Sequence, residues 1–155
     1  MSRDIGIYIQ KESYPPTDVL RNAIIQEGFP CVLDDEFDPL TYGGFLLCPV
    51  DGSPAGFEYH VRPIDEDELE EVEASFTPDT VILLSTGSNE REWISAVATA
   101  SCLAKLAGGI MVNYYTGEQI TAEHATDWAR TQIALQKLLN RRIIDPIRPC
   151  LKSAA

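Results

Sequence analysis

The sequence has few of the groups on which enzyme active sites are usually built. It contains only two histidines, His60 and His124, and four cysteines that are too widely spaced for a CxxC motif. It also lacks a Walker A loop and a GxGxxG motif. A zinc site or thiol redox motif is therefore disfavoured, and catalysis by either histidine would require the fold to bring it to a cysteine or serine nucleophile. We expect a protein that is not an enzyme and has no cofactor.

The sequence also lacks a long apolar run. None approaches the roughly 20 residues of a membrane-spanning helix, and the longest candidate, residues 93–111, is interrupted by Lys105 and Gly108-Gly109. The N-terminus has no apolar region or cleavage site typical of a signal peptide. We therefore expect a soluble, cytoplasmic protein with reduced cysteines, forming a single domain over residues 1–145 and an extended tail over 146–155.

The middle of the chain has almost no basic residues. Residues 31–92 contain sixteen acidic side chains against two basic ones, a net charge of -14, whereas the whole chain carries -12. From Trp128 onward the sign reverses, with six basic side chains and one acidic one. An acidic chain disfavours nucleic acid and anionic membranes as partners, because both attract lysine and arginine. The charge favours a basic protein partner, or serves solubility alone.

The hydrophobic pattern predicts six strands and four helices. The strands are expected at 4–10, 31–33, 44–50, 56–64, 80–85 and 110–115, and the helices at 17–28, 65–76, 90–107 and 121–142. In the last helix Trp128, Leu135 and Leu139 are expected to point inward. The order β-α-β-β-β-(α)-β-α-β-α predicts an α+β fold with a mixed, mostly antiparallel sheet and helices packed on one side. The other face is expected to be partly wet, because Glu58, His60 and Arg62 alternate with apolar residues.

Two acidic segments supply the candidate binding residues. The loop at 34–38 has enough oxygen for a hard cation but lacks the glycine and terminal glutamate of an EF-hand, so a solvated loop is favoured over a metal site. The run at 65–73 is either the solvated face of a surface helix or a comb of charge that docks onto a basic groove. The candidate partner-binding residues are the carboxylates Asp34, Asp35, Glu36, Asp38, Asp65, Glu66, Asp67, Glu68, Glu70 and Glu71 and the apolar anchors Tyr42 and Tyr59.

A polar turn at Ser85–Glu90 separates a predicted strand from a predicted helix. Its backbone N–H groups could hold a phosphate. Asn89 followed by Glu92 is instead typical of a capping box, and acidic residues in the first turn of a helix compete with a bound anion. The capping interpretation is favoured, and a regulatory domain that binds phosphate or a nucleotide is the alternative function.

Two stretches share an order of elements with a known class of protein. GFEYHVRPID (56–65) and VILLSTGSNEREWISAVATASCLAKLAGGIMVNYYTGEQITAEHATDWA (81–129) combine an apolar strand, a polar turn, an alanine-rich helix, Gly-Gly, a strand, a turn with glycine and a helix. Over roughly residues 56–130 this order resembles small bacterial immunity proteins encoded beside polymorphic or type VI secretion toxins. The resemblance implies a non-enzymatic inhibitor whose partner is one cognate toxin. With the acidic surface, it predicts occlusion of a basic active site on a toxin that acts in the cytoplasm.

Overall fold

The computed structural model describes residues 2–144, with side chains as far as Asn140. The architecture is α+β, as the order of elements predicted. The strands are β1 (Arg3–Ile9), β2 (Gly44–Leu47), β3 (Gly56–Pro63), β4 (Thr80–Thr86), β5 (Ile110–Asn113) and β6 (Glu118–Thr121). The helices are α1 (Thr17–Gln26), α2 (Glu66–Glu71), α3 (Glu90–Ala107) and α4 (Ala125–Ile144).

The six strands form one sheet in the order β2-β3-β4-β1-β5-β6. All five pairings between them are antiparallel, which corrects the expectation of a mixed sheet. β1 and β4 lie at the centre, with Ile7 opposite Ile82. Their central position agrees with the nearly continuous apolar sequence of β4, because a strand covered on both faces needs apolar residues in both directions.

The main core lies between the sheet and the helices α1, α3 and α4. β1 directs Ile5, Ile7 and Ile9 to this side, where all three are fully buried. α3 packs closely because many of its buried residues are small. Both ends of α3 are determined by residue type. The side chain of Asn89 accepts two N–H groups of the first turn, and Gly108 ends the helix in the left-handed conformation, with φ of 66°.

The opposite face of the sheet carries a smaller apolar cluster under α2 and the segment that follows it. Tyr8 and Val81 are buried there, with Val72 and Phe76 packed against them. The helices were expected on one side of the sheet, but α2 lies on the other side, so that expectation was wrong. α2 also ends at Glu71, short of the predicted position 76, because the backbone becomes extended at Val72 and residues 72, 74 and 76 then turn toward the sheet.

Two other predicted elements differ from the structure, and one strand was not predicted. The 31–33 segment forms only a single bridge, between Cys31 and Val50, and β6 was missed because its sequence EQIT has one apolar residue. α4 begins at residue 125 and directs Ala129 and Ile133 into the core, whereas Leu139, predicted to point inward, is 54% exposed. The predicted tail at 146–155 lies outside the described residues. The three cysteines within the described residues are free and buried, at positions 31, 48 and 102.

Candidate partner-binding surface

The β2–β3 hairpin builds the part of the sheet that α2 leaves uncovered. Phe45 and Leu47 of β2 are 48% and 47% exposed. Phe45 lies opposite Glu58, which in turn pairs with Ser85 of β4, and residues directly opposite one another share a face of the sheet. We call this surface the open face; its residues are Phe45, Leu47, Glu58, His60, Leu83 and Ser85.

Residues 34–42, the acidic loop and the residues that follow it, cover the outer edge of β2. The backbone N–H of Asp34 donates to the carbonyl of Leu47 at 3.0 Å, and the hydroxyl of Tyr42 donates to the carbonyl of Phe45. An uncovered edge strand presents such carbonyls to any other strand with which it can pair. The loop therefore has a structural function, since it occupies acceptors that would otherwise invite aggregation.

Three of the four carboxylates of this loop have partners within the fold. Asp34 and Asp38 each accept the backbone N–H two residues later, at 3.0 and 3.2 Å, a contact that stabilises a tight turn. Asp35 lies 3.6 Å from the guanidinium of Arg21. Only the side chain of Glu36, which is exposed, has no hydrogen bond or ion pair to another described residue.

The two predicted aromatic anchors do not have the same environment. Tyr59 is only 2% exposed, which corrects its assignment as a surface anchor. Its hydroxyl donates to the carbonyl of Pro39 at 2.5 Å and lies 3.1 Å from that of Tyr14, whose pKa is raised by burial to about 12. Tyr42 is half-buried and packs edge-on against Phe37, with ring centroids 5.8 Å apart. Tyr59 is therefore part of the core, and Tyr42 part of the edge cover.

α2 is attached to the sheet through Glu68. The carboxylate accepts a hydrogen bond from Tyr8 Oη at 2.6 Å and two from the guanidinium of Arg62, one of them at 2.8 Å. The Arg62 hydrogen bonds lower the pKa of Glu68 from 4.5 to about 2, against the opposing effect of burial. Asp65 caps the helix, because its side chain accepts the N–H of Glu68 at 2.9 Å and the Glu68 side chain reaches back to the N–H of Asp65.

The end of α2 is held as well. Gln119 of β6 donates from Nε2 to the carbonyl of Glu71 at 2.9 Å and accepts the N–H of Glu73 at 2.8 Å. Four other side chains of the helix project into solvent and make no hydrogen bond or ion pair within residues 2–140. We call these four carboxylates the acidic row; they are Glu66, Asp67, Glu70 and Glu71.

The structure does not unite the two acidic segments. The loop packs with the main core at the β2 edge, while α2 lies on the opposite face of the sheet. The acidic row instead lies at one end of the open face, because Arg62, to which α2 is attached, follows His60 on the same side of β3. Phe45 lies further along this face, level with Glu58, four residues before Arg62 on β3. Of the twelve predicted residues, the four of the acidic row are those placed beside this surface with their charges free.

Sequence reasoning missed Phe45 and Leu47. The signal was present in GFLLCPV, where Leu46, Cys48 and Val50 are buried and the alternate residues point the other way. Once 56–64 was predicted to expose Glu58 and His60, pairing across the hairpin should have placed the alternate residues of β2 beside them.

The other sequence candidates are arranged differently. His60 is exposed on the open face, and the buried cysteines lie in the main core on the far side of the sheet. His124 is exposed and lies 3.4 Å from Glu123. Within the described part of the chain, no group of three or more histidine, cysteine, aspartate or glutamate residues is arranged to hold a metal ion. In the polar turn, Asn89 already accepts two N–H groups that a phosphate could have used.

Among residues 2–144 no helix has both the length and the apolar character needed to cross a membrane. Models of known protein families and curated proteins were compared with the chain, and none of them matches it.

Proposed function

We propose that this protein is a non-enzymatic immunity protein that binds and neutralises a cognate toxin acting in the bacterial cytoplasm. The observation that supports the proposal most is the position of the acidic row beside the open face. Free carboxylates lie at one end of this surface, near Arg62, and two half-exposed apolar side chains lie further along it, level with Glu58 and Gly56. Protein interfaces likewise combine apolar contacts with polar groups at the rim.

The two parts of this surface have different functions in binding. A partner that covers the exposed apolar surface of Phe45 and Leu47 gains affinity from its burial and dissociates more slowly. The acidic row supplies long-range attraction, which accelerates association with a basic surface and makes it sensitive to salt. A toxin whose active site binds phosphate-bearing substrates has such a basic surface, and a row of carboxylates can occupy it in place of the substrate.

The restraints on α2 make the acidic row effective. A helix of six residues is not stable alone in water, and here it is held by a capping box, by Glu68 and by Gln119. The backbone that carries these carboxylates is therefore ordered before the partner arrives, so binding pays only the entropy of ordering their side chains.

The test begins with capture of the partner. The tagged protein is purified from its native bacterium, and the product of the neighbouring gene is tested for binding and for toxicity that this protein suppresses. One variant removes the acidic row, Glu66→Gln, Asp67→Asn, Glu70→Gln and Glu71→Gln. A control with the same loss of charge removes four exposed carboxylates near α1 and α4, Glu12→Gln, Asp18→Asn, Glu123→Gln and Asp127→Asn.

We expect the acidic-row variant to associate about tenfold more slowly at low salt and to lose most of its salt dependence. Phe45→Ser with Leu47→Ser should instead dissociate about tenfold faster. The control should behave as the unmodified protein, and Glu36→Gln tests the remaining free carboxylate of the loop. If the acidic-row variant and the control bind alike, the proposed surface is wrong even if a toxin is found; if no toxin is found, the function is wrong.

A further inference from the structure

A cavity of about 430 Å³ lies at one end of the sheet, on the helix side and away from the open face. Arg3 at the start of β1 and Asn113 at the end of β5 lie at its base, and Trp93 of α3 and Gln132 of α4 line its sides. Its volume is within the range of pockets that hold small molecules. Nothing in the proposed binding of a toxin uses this cavity.

Arg3 supplies a positive charge without a carboxylate partner in the described part of the chain. Its guanidinium carbon lies 4.8 Å from the centre of the Trp93 ring, and Nη1 donates to Gln136 Oε1 at 3.2 Å. These two contacts fix the plane of the guanidinium and leave its other N–H groups without a bond to residues 2–140. An oriented guanidinium of this kind is suited to receive a carboxylate in a bidentate contact.

Asn113 supplies a second donor. The residue is only 5% exposed, and its Oδ1 accepts the backbone N–H of Tyr115 at 3.1 Å. Asn113 lines the same cavity, and its amide nitrogen donates to no residue within 2–140. This nitrogen is not sealed from solvent, so it is available to donate to an acceptor that enters the cavity. Arg3 and Asn113 can therefore both donate to the same kind of ligand atom, an oxygen acceptor.

The remaining walls restrict the ligand further. Tyr115, which is 66% exposed, offers an open aromatic ring and favours a flat apolar body, whereas Trp93 is 3% exposed and is covered by Arg3. Glu90 and Glu92 in the first turn of α3 repel a second negative charge near Ser88. A phosphate with two charges is therefore a poorer fit than a group with one. We propose that this cavity binds a small planar carboxylic acid, with its carboxylate between Arg3 and Asn113.

The test uses the full chain and two probes of nearly equal shape, indole-3-acetate and its neutral amide, indole-3-acetamide. Calorimetric titration and the thermal unfolding midpoint are measured for both. We expect the acid to bind and to raise the midpoint with concentration, and the amide to bind at least about tenfold more weakly because it lacks the charge that Arg3 pairs with.

Two variants locate the site. Arg3→Gln removes the charge, and Asn113→Asp keeps the acceptor for the Tyr115 N–H but replaces the donor with a negative group. Each should weaken the acid about tenfold or more. Arg91→Gln, an exposed arginine on α3 that does not line the cavity, is the control and should leave binding within about twofold.

Equal binding of acid and amide, no binding of either at millimolar concentration, or an equal loss in the Arg91 control would each overturn the proposal. The comparison of the two probes on the unmodified protein decides the matter even if a variant does not fold.

Discussion

Glu68→Gln is the substitution that most directly tests how α2 is held. Lowering the pKa of a carboxylate from 4.5 to about 2 corresponds to about 3 kcal/mol of preference for the ionised form in the folded protein. The side chains of Glu68 and Arg62 are 15% and 31% exposed, so solvent screens part of this. We therefore expect Glu68→Gln to reduce the free energy of unfolding by about 1–2 kcal/mol at pH 7.

The pH dependence gives a second, independent measurement. Because the pKa of Glu68 is lower in the folded than in the unfolded protein, its stabilisation is complete above pH 4.5 and is lost as the pH falls toward about 2. Urea unfolding of the unmodified protein and the variant should differ most at pH 7, and at pH 3 the difference should fall to less than about half.

Glu70→Gln, on the exposed side of the same helix, is the control and should change the stability by less than about 0.5 kcal/mol. If Glu68→Gln is as stable as the unmodified protein at pH 7, or if its deficit is the same at pH 3, Glu68 does not anchor the helix electrostatically.

Three further predictions concern positions away from the proposed surface. Gly6→Ala would place a methyl group 2.5 Å from the hydroxyl of Tyr114, so we expect a loss of about 1–3 kcal/mol in urea unfolding, while Gly43→Ala, with open space around it, should be nearly neutral. Asn89→Ala removes the cap of α3 and should cost about 1 kcal/mol, measured in the same way; an unchanged midpoint would contradict the capping role. Burial raises the pKa of Cys102 to about 12, so iodoacetamide at pH 8 should modify it, by peptide mass analysis, only after unfolding in urea.

Predictions from the sequence succeeded where one local cause determines the structure. The N-cap at Asn89 and the stop at Gly108 depend on a side-chain acceptor and on a left-handed residue, and both can be read from residue type. The buried strand at 80–85 required only its apolar run. The prediction of Leu139 as a core residue failed because α4 has apolar residues on more than one side, and packing against α3 selected the stripe through Ala129 and Ile133.

The candidate site was harder to predict because it depends on pairing between distant segments. Tyr59 was predicted to be exposed as an anchor. It alternates with the exposed Glu58 and His60 along β3, however, so the strand pattern already placed it on the other, buried face of the sheet. The role of Glu68 depends on Tyr8, sixty positions earlier in the chain, which no local pattern connects with it. Periodicity gives the face on which a residue lies, but not the residue that it will meet there.

The acidic excess of the middle segment therefore combines carboxylates with different functions. Asp65 and Asp67 are identical in type and two positions apart, but Asp65 satisfies the first turn of α2 while Asp67 has only solvent beside it. Charges that are already hydrogen-bonded in the fold contribute to its stability, and they are costly to redirect toward a partner. If the acidic row is the binding surface, the salt dependence of association should follow its four charges and not the net -14 of residues 31–92. A dependence steeper than these charges and Glu58 of the open face explain would show that the partner also meets the loop beyond β2, on the other side of the sheet edge.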